Sequence, residues 1–375
     1  MRLLVLGGGK MAKAIAYDFS RQADVKEVVV ASRSIAGPKR IAKELKSRKI
    51  TSISIDVTNQ RDVVTLMKGF ECVVSAVPYI FNFNLAKAAV KAKCHFVDLG
   101  GNNTVVDQEF SLSGDAKKAG VAIVPDSGLA PGLVSNLTAL GLLDFKEKVH
   151  TVKLRVGGLP QKPKGDLEYM IVFSVKGLIN EYVEPVKIIE NFKIKTIPPM
   201  LPTEKIYFKG YGFLEAFPTS GGTSTLPKSF KGKIKNLNYK TIRYPGHAEK
   251  INTLMQLGLT SSEKIEKLGV SPREILEHQM VKNYTMKGKD LVLLKVILES
   301  NKKTVSYTLI DKEKGKLTAM MRCTGFPAAA IALMLARGQI LKRGTLKHEY
   351  DIPAVELYNS LLEKGLEIKK SVRNK

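Results

Sequence analysis

Arg2-Leu3-Leu4-Val5-Leu6-Gly7-Gly8-Gly9-Lys10-Met11-Ala12 opens the chain, and its reading decides the fold. An apolar run of strand length breaks into a G-x-G-x-x-A turn and continues with Ala14, Ile15, Ala16 and Phe19 at helical spacing. A second β-branched run, Val28-Val29-Val30, follows where the next strand of a βαβ unit is due. In such a unit Gly7 takes a backbone angle closed to other residues and Gly9 lets main-chain N–H groups approach a diphosphate. Ala12 lets the helix lie close to the strand. Anionic phosphates then sit at a helix N-terminus, whose unpaired N–H groups and dipole favour negative charge. A tight strand-to-helix turn without a ligand has the same glycines; the strand before and the helix and strand after favour a dinucleotide cradle, with Lys10 and Met11 at its lip.

Working outward, strand and helix signals alternate through the first ~130 residues. Strands are expected near 2–6, 26–31, 50–55, 71–75, 94–98 and 121–124, as in a doubly wound parallel sheet of order 3-2-1-4-5-6. Ligands bind such sheets beyond the carboxyl ends of their strands. Three strand ends carry small or glycine-rich loops or polar groups suited to this: Ala31-Ser32-Arg33-Ser34, Ser75-Ala76-Val77-Pro78 and Asp98-Leu99-Gly100-Gly101. Asp56 and Val57, after the third strand, join the same cofactor-binding set. At the second strand end an NAD enzyme usually has an acid for the ribose 2′-hydroxyl. Here Ser32 and Arg33 stand instead, a hydroxyl and a planar guanidinium suited to a 2′-phosphate, so NADP is favoured over NAD.

From about 150 the alternation ends. Strand-like runs at Thr151–Val156, Tyr169–Phe173, Lys205–Phe208, Leu291–Leu298 and Thr304–Leu309 are separated by Gly- and Pro-containing turns. These indicate an α+β domain with a mixed sheet. Helices are expected again over Ala328–Ala336 and Pro353–Lys364, packing back on the first domain. The expected division is 1–130 plus 317–375 for the Rossmann-type domain and 131–316 for a substrate-binding or dimerisation domain.

Bulk properties limit the function classes. With 44% hydrophobic and 25% charged residues the 375-residue chain has the composition of a globular protein of about two domains. No apolar stretch of membrane-spanning length is evident, so no membrane partner and a cytoplasmic location are expected. The formal charge of +25 would suit nucleic acid, but the excess is spread over many faces without interleaved aromatics, so no nucleic-acid partner is expected. Cys72, Cys94 and Cys323 lie in apolar contexts without metal spacing, and His95, His150, His278 and His348 show no ligand pattern, so no metal is expected.

Four further motifs occur in order: Pro125-Asp126-Ser127-Gly128-Leu129-Ala130-Pro131-Gly132-Leu133, Val156-Gly157-Gly158-Leu159-Pro160, Arg243-Tyr244-Pro245-Gly246-His247 and Thr324-Gly325-Phe326-Pro327-Ala328. By these the chain resembles the saccharopine dehydrogenase superfamily over nearly its whole length, and most of all the lysine 6-dehydrogenase branch. Saccharopine reductases typically carry Leu-Asp-Pro-Gly and Cys-Gly-Gly-Leu-Pro, whereas this chain has Ala130 and Val156 at those Asp and Cys positions. Ser32-Arg33 instead is similar to the NADP-using saccharopine reductases.

The resemblance implies a homodimeric NAD(P)-dependent oxidoreductase acting on the CH–NH2 group of an amino acid, foremost the ε-amine of L-lysine. A saccharopine reductase or carboxynorspermidine-type condensing dehydrogenase is the alternative, and a non-catalytic NADP-binding protein a second. Such chemistry needs a base for the substrate ammonium. His247 is the first candidate, unless it is a satisfied structural histidine. Asp126, at the sheet edge, would orient the amine or else cap the helix near Pro131. Arg243 would clamp a substrate carboxylate, Glu181 would pair with an ammonium, and Tyr169 and Thr324, the latter in a turn near the site, complete the substrate set.

Overall fold

Strands whose residues are apolar on both faces must be covered on both, and the first third of the chain meets that need with helices after each strand. The computed structural model describes residues 1–285 and 287–375. It divides into two units: Met1–Leu140 with Met321–Leu366, and Gly141–Met320 with Glu367–Lys375.

The first unit is built on β1 (Arg2–Leu6), β2 (Glu27–Ser32), β3 (Ile50–Ser54), β4 (Cys72–Ser75), β5 (His95–Asp98) and β6 (Ala122–Val124), joined by helices. All pair in parallel in the expected order β3-β2-β1-β4-β5-β6, and a two-residue strand, Gly344–Thr345, extends the sheet beyond β6. The register aligns Leu6 with Ala31 and Ser75, and Ser75 with Asp98, so the carboxyl ends of β1, β2, β4 and β5 form one edge. One face of the sheet is sealed by Leu4, Leu6, Val29, Val63, Met67, Leu85 and Phe96, all buried.

The helix Ala319–Ala336 has 18 residues and a mean hydropathy of 1.5, long and apolar enough to cross a membrane, and 89% of it is buried in this fold. The expectation that no stretch reached that length was therefore incorrect, Arg322 having interrupted the apolar run in the sequence. Gly325 explains how the helix packs in the first unit. A Cβ there would stand 2.6 Å from the Ala14 Cβ, so the missing side chain lets it press against helix Lys10–Ser20.

The second unit is organised by β7 (Thr151–Pro160), β8 (Val186–Glu190), β9 (Lys193–Ile197), β10 (Glu204–Phe208), β11 (Gly212–Pro218), β12 (Asn236–Arg243), β13 (Asp290–Glu299) and β14 (Lys303–Lys312). The sheet runs β10-β11-β12-β7-β13-β14 and ends in the strand Ile368–Asn374, with β8 attached to β12 and β9 to β8. It is mixed: β7 and β12 are parallel, the other pairs antiparallel.

Three local expectations are corrected. The segment 169–173 is not a strand; its apolar side chains bury in a loop that touches the helix Pro272–Tyr284 region through a single bridge from Ile171 to Thr285. The residues 317–320 and 367–375, placed in the first domain from sequence, belong to the second unit, while most of helix Val134–Leu142 belongs to the first. The cause is hydrogen bonding: the Asp290 carboxylate accepts from the Ala319 and Met320 N–H groups, and Ile368–Asn374 pairs along β14.

Candidate functional site

At the end of β1 the chain must turn without a side chain. Gly7 has φ +130°, and a Cβ there would stand 2.6 Å from the Ala76 carbonyl oxygen. Ala76, in turn, donates its N–H to Leu6. Gly8 is packed against the start of helix Ala36–Leu45, since a Cβ on Gly37 would meet the Gly8 carbonyl oxygen at 2.8 Å. Gly9 faces open space: a Cβ there would meet nothing within 4 Å. It precedes helix Lys10–Ser20, whose first turn has no side-chain cap and no acidic residue. Uncapped N–H groups beside an open glycine fit a diphosphate.

Around this cradle Lys10, Arg33 and Asp56 are exposed and Met11 half-buried. The Ser32 hydroxyl donates to the Ser34 carbonyl, shaping the turn after β2. Asp56 accepts from the N–H and hydroxyl of Thr58, which hold its carboxyl below the usual range with a smaller contribution from the Arg33 charge. Val57 and Val77 are half-buried against the core and Pro78 is exposed, so the Val57 and Val77 side chains serve packing.

The β5–β6 edge is different. Asp98 is fully buried and its Oδ1 accepts from the N–H groups of Gly100 and Asp126, at 2.6 and 3.2 Å. It is thus a brace for the loop rather than a side chain free to meet a cofactor, which corrects its predicted role. Glu109, also fully buried, is pushed well above the carboxylate range by burial and by the Asp98 charge. Among the described residues no hydrogen-bond donor reaches Asp98 Oδ2 or either Glu109 oxygen, and burial beside the Asp98 charge favours the protonated form of Glu109. Asp126 is buried with φ +59°, its Oδ1 against Gly100, where a Cβ would come as near as 1.9 Å. His348 pins this bend: its Nε2 donates to the Pro125 carbonyl at 2.7 Å and its Nδ1 accepts from Asn136 at 3.0 Å. Thr324 lies inside helix Ala319–Ala336, not in a turn, with its methyl near Gly128.

In the second unit four predicted residues come together. Arg243, at the end of β12, is 2% exposed. Its Nε donates to the Tyr182 hydroxyl at 3.1 Å, Nη1 donates to the Ile242 carbonyl at 2.9 Å, and the guanidinium stacks 4.8 Å from the Tyr169 ring centre. The Tyr182 hydroxyl passes its proton toward His247 Nε2 at 3.0 Å, and His247 Nδ1 donates to the Leu167 carbonyl at 2.9 Å. Because a carbonyl only accepts, His247 is the neutral tautomer protonated on Nδ1. Burial and the Arg243 charge push its pKa down to about 3. The predicted role of His247 as general base is therefore corrected: both nitrogens are engaged, and the ring orients Tyr182 and, through it, Arg243.

Glu181 sits one residue before Tyr182 on helix Val175–Val183. It is half-buried, its carboxylate makes no hydrogen bond among the described residues, and burial lifts its pKa to about 7, against the pull of Arg243. The Tyr169 hydroxyl is buried and has no hydrogen-bond partner among the described residues. A guanidinium with Nη2 unengaged, a carboxyl titrating near neutrality and an unpaired phenol are the groups that would receive a zwitterion. Tyr182 and Phe217, which flank His247, were not singled out in the sequence: an aromatic on a helix or strand reads as core until its partners are known.

The predicted set therefore divides. Gly7, Gly9, Lys10, Met11, Ser32, Arg33, Asp56, Val57, Ala76, Val77, Pro78, Asp98, Gly100, Asp126 and Thr324 belong to the first unit; Tyr169, Glu181, Arg243 and His247 to the second.

Comparison with known proteins gives this arrangement a family. Residues 3–124 match the saccharopine dehydrogenase NADP binding domain, and residues 128–366 the saccharopine dehydrogenase C-terminal domain. The saccharopine dehydrogenase [NADP(+), L-glutamate-forming] of Saccharomyces cerevisiae is 26% identical over 295 residues, 75% of this chain and 63% of that protein. The mitochondrial alpha-aminoadipic semialdehyde synthase of Rattus norvegicus is 26% identical over 274 residues, but only 29% of that protein is covered. The chain thus spans less than two thirds of the length of these relatives. The carboxyaminopropylagmatine dehydrogenase of Synechocystis is 20% identical over 380 residues, covering 93% of this chain and 92% of that one. Among solved structures, the apo yeast saccharopine dehydrogenase superposes with a TM-score of 0.80 at 21% identity, over 99% of both chains. The homospermidine synthase of Legionella pneumophila in complex with NAD superposes at 0.74 and 12%, over 99% of this chain and 91% of that one. At those identities the likeness is one of fold. With residues 3–124 and 128–366 matched by the two domain models of one family, the chain belongs to the saccharopine dehydrogenase family.

Proposed function

We propose that the protein is an NADP(H)-dependent oxidoreductase acting on the CH–NH2 group of an amino acid, with the ε-amine of L-lysine as its leading substrate. The observation that carries the substrate reading is the closeness of one buried guanidinium, Arg243, to one half-buried carboxyl, Glu181, in a cluster that includes the rings of Tyr169 and Tyr182. One positive and one negative group match an amino acid with a single carboxylate better than a substrate with three.

The residues at the open glycine turn, Gly7 to Met11, would hold the diphosphate, and Ser32 and Arg33 the adenosine end. When bound, NADP+ supplies the acceptor for a hydride from the carbon bearing the amine. Arg243 holds the substrate carboxylate with Nη2, its own direction set by the Tyr182–His247 chain. Glu181, with a pKa near neutrality, takes a proton from the substrate ammonium so that the amine is neutral when its carbon is oxidised. Once Glu181 has passed that proton to solvent, water adds to the resulting iminium and gives its proton to the same carboxylate, which hands it to the departing nitrogen, so that ammonia and an aldehyde leave.

Purified protein with NADP+ and L-lysine is expected to raise absorbance at 340 nm and to release ammonia. Absence of turnover with lysine, saccharopine and polyamines alike would end the reading. A second reading, reductive condensation of an amine with a carbonyl acid, draws on the yeast and Synechocystis relatives. Mass spectrometry separates the two: a condensing enzyme retains the amine nitrogen in its product. A non-catalytic NADP-binding protein would bind NADPH and turn over nothing.

A further inference from the structure

The turn after β2 carries Arg33, and the sequence puts the whole burden of 2′-phosphate recognition there. In the structure Arg33 does not act alone. The carboxylate of Asp56, exposed just beyond β3, feels its charge, so part of the Arg33 field is offset before any phosphate arrives. A second guanidinium reaches the same place. Helix Ala36–Leu45 is drawn against the glycine turn by the contact of Gly37 with Gly8, a contact that leaves no room for a Cβ on either residue. Arg40 lies three residues after Gly37, on the same helical face, and its Nη2 donates to the Gly8 carbonyl oxygen at 3.2 Å. Among the described residues this is the one hydrogen bond its guanidinium makes. The Ser32 Oγ is near as well, 2.9 Å from where a Gly8 Cβ would be. In a dinucleotide fold the adenosine ribose lies between the glycine turn and the end of the second strand. Arg40 bridges those two features, because its helix starts at the strand end and its side chain closes on the turn.

Resting on the NADP reading above, we propose that Arg40 is the second arm of a clamp for the 2′-phosphate and the residue that sets NADP(H) over NAD(H). Tethering one terminal nitrogen to Gly8 orients the planar fork in advance, so its other N–H groups meet the phosphate oxygens with little further loss of side-chain freedom. Arg33 supplies the opposing charge. Asp56, within reach of the Arg33 charge, tempers that arm: it disfavours a dianionic phosphomonoester, so its charge limits affinity for NADP(H) and leaves NAD(H) untouched.

Calorimetric titration of the whole chain with NADPH, NADH and adenosine 2′-monophosphate tests this, since binding is read without turnover. Arg40 is exposed, so Arg40→Met should fold with an unchanged melting temperature. It is expected to bind NADPH and adenosine 2′-monophosphate about ten to a hundred times more weakly while holding NADH within about twofold. Arg40→Lys should recover part of the loss, and Asp56→Asn should tighten NADPH but not NADH. Unchanged NADPH affinity in Arg40→Met, or an equal loss of NADPH and NADH, would overturn the proposal and leave the cofactor reading standing. Failure of the unaltered protein to bind either coenzyme would instead overturn the cofactor reading and the clamp with it.

Discussion

A histidine acts as a base near neutrality only when one ring nitrogen is free and its proton affinity is unspoiled. His247 meets neither condition, yet the same burial raises Glu181 into the range where a base is useful. Two measurements follow. Activity, as kcat/KM for the amine, should rise with pH through about 7 as Glu181 ionises, and Glu181→Gln should lose that limb together with most of the rate. A pH profile that survives the substitution would remove Glu181 from the proposed role. For stability the sign is opposite to that of a paired histidine. The folded state keeps His247 neutral down to about 3, while an unfolded histidine protonates near 6.5. The unfolded chain thus binds the extra proton, and stability falls as pH drops from about 6.5 toward 3. His247→Gln, which cannot take up that proton, should show a shallower loss of denaturation midpoint between pH 7 and 4. Four of the side chains in this cluster were legible in the sequence, two of them, Arg243 and His247, through a motif. Their roles were not, because the motif names a residue and the hydrogen-bond partners decide what it does.

At the scale of elements, the glycine turn separates two functions that a sequence pattern merges. Gly7 and Gly37 are small because backbone lies against them; Gly9 is small although nothing in the protein touches it. Gly7→Ala is therefore expected to lower the melting temperature of the free protein, since a positive φ and a contact with the Ala76 carbonyl both resist a side chain. Gly9→Ala should leave that temperature within about 2 °C but weaken NADPH binding at least tenfold, because its methyl would occupy the space of the diphosphate. Differential scanning calorimetry with and without NADPH distinguishes them, and a stability loss in Gly9→Ala would contradict the open cradle. The parallel strands were readable because short apolar runs with helices between admit few other folds. The strands β8, β9, β11 and β12 were not: exposed or half-buried positions are scattered along them, and lysines and asparagines interrupt the apolar runs of β8, β9 and β12.

For the whole molecule, sequence order and spatial membership part company near the C-terminus. The chain returns to the first unit at Met321, leaves it after Leu366, and adds Ile368–Asn374 to the far edge of the second sheet. That strand is rich in Lys and Arg and exposed along nearly its length, a composition that discourages edge-to-edge association. Removing residues 367–375 would uncover the β14 edge. Light scattering should then show earlier aggregation on heating, whereas NADPH affinity should be unchanged because the sheet of the first unit is intact; a parallel loss of NADPH binding would refute that independence.

The order of the sequence by itself determined the parallel nucleotide-binding sheet, since glycine spacing and buried runs are local properties that survive without knowledge of contacts. It also determined, through its motifs, which family the chain resembles. Only the tertiary structure decided that both ring nitrogens of His247 are engaged, that the Glu109 carboxyl is buried within reach of the Asp98 charge, and that Arg40 reaches Gly8. Those outcomes depend on burial and on partners far apart in the chain, 80 residues between His247 and Leu167 and 32 between Arg40 and Gly8, and no local pattern encodes such pairings.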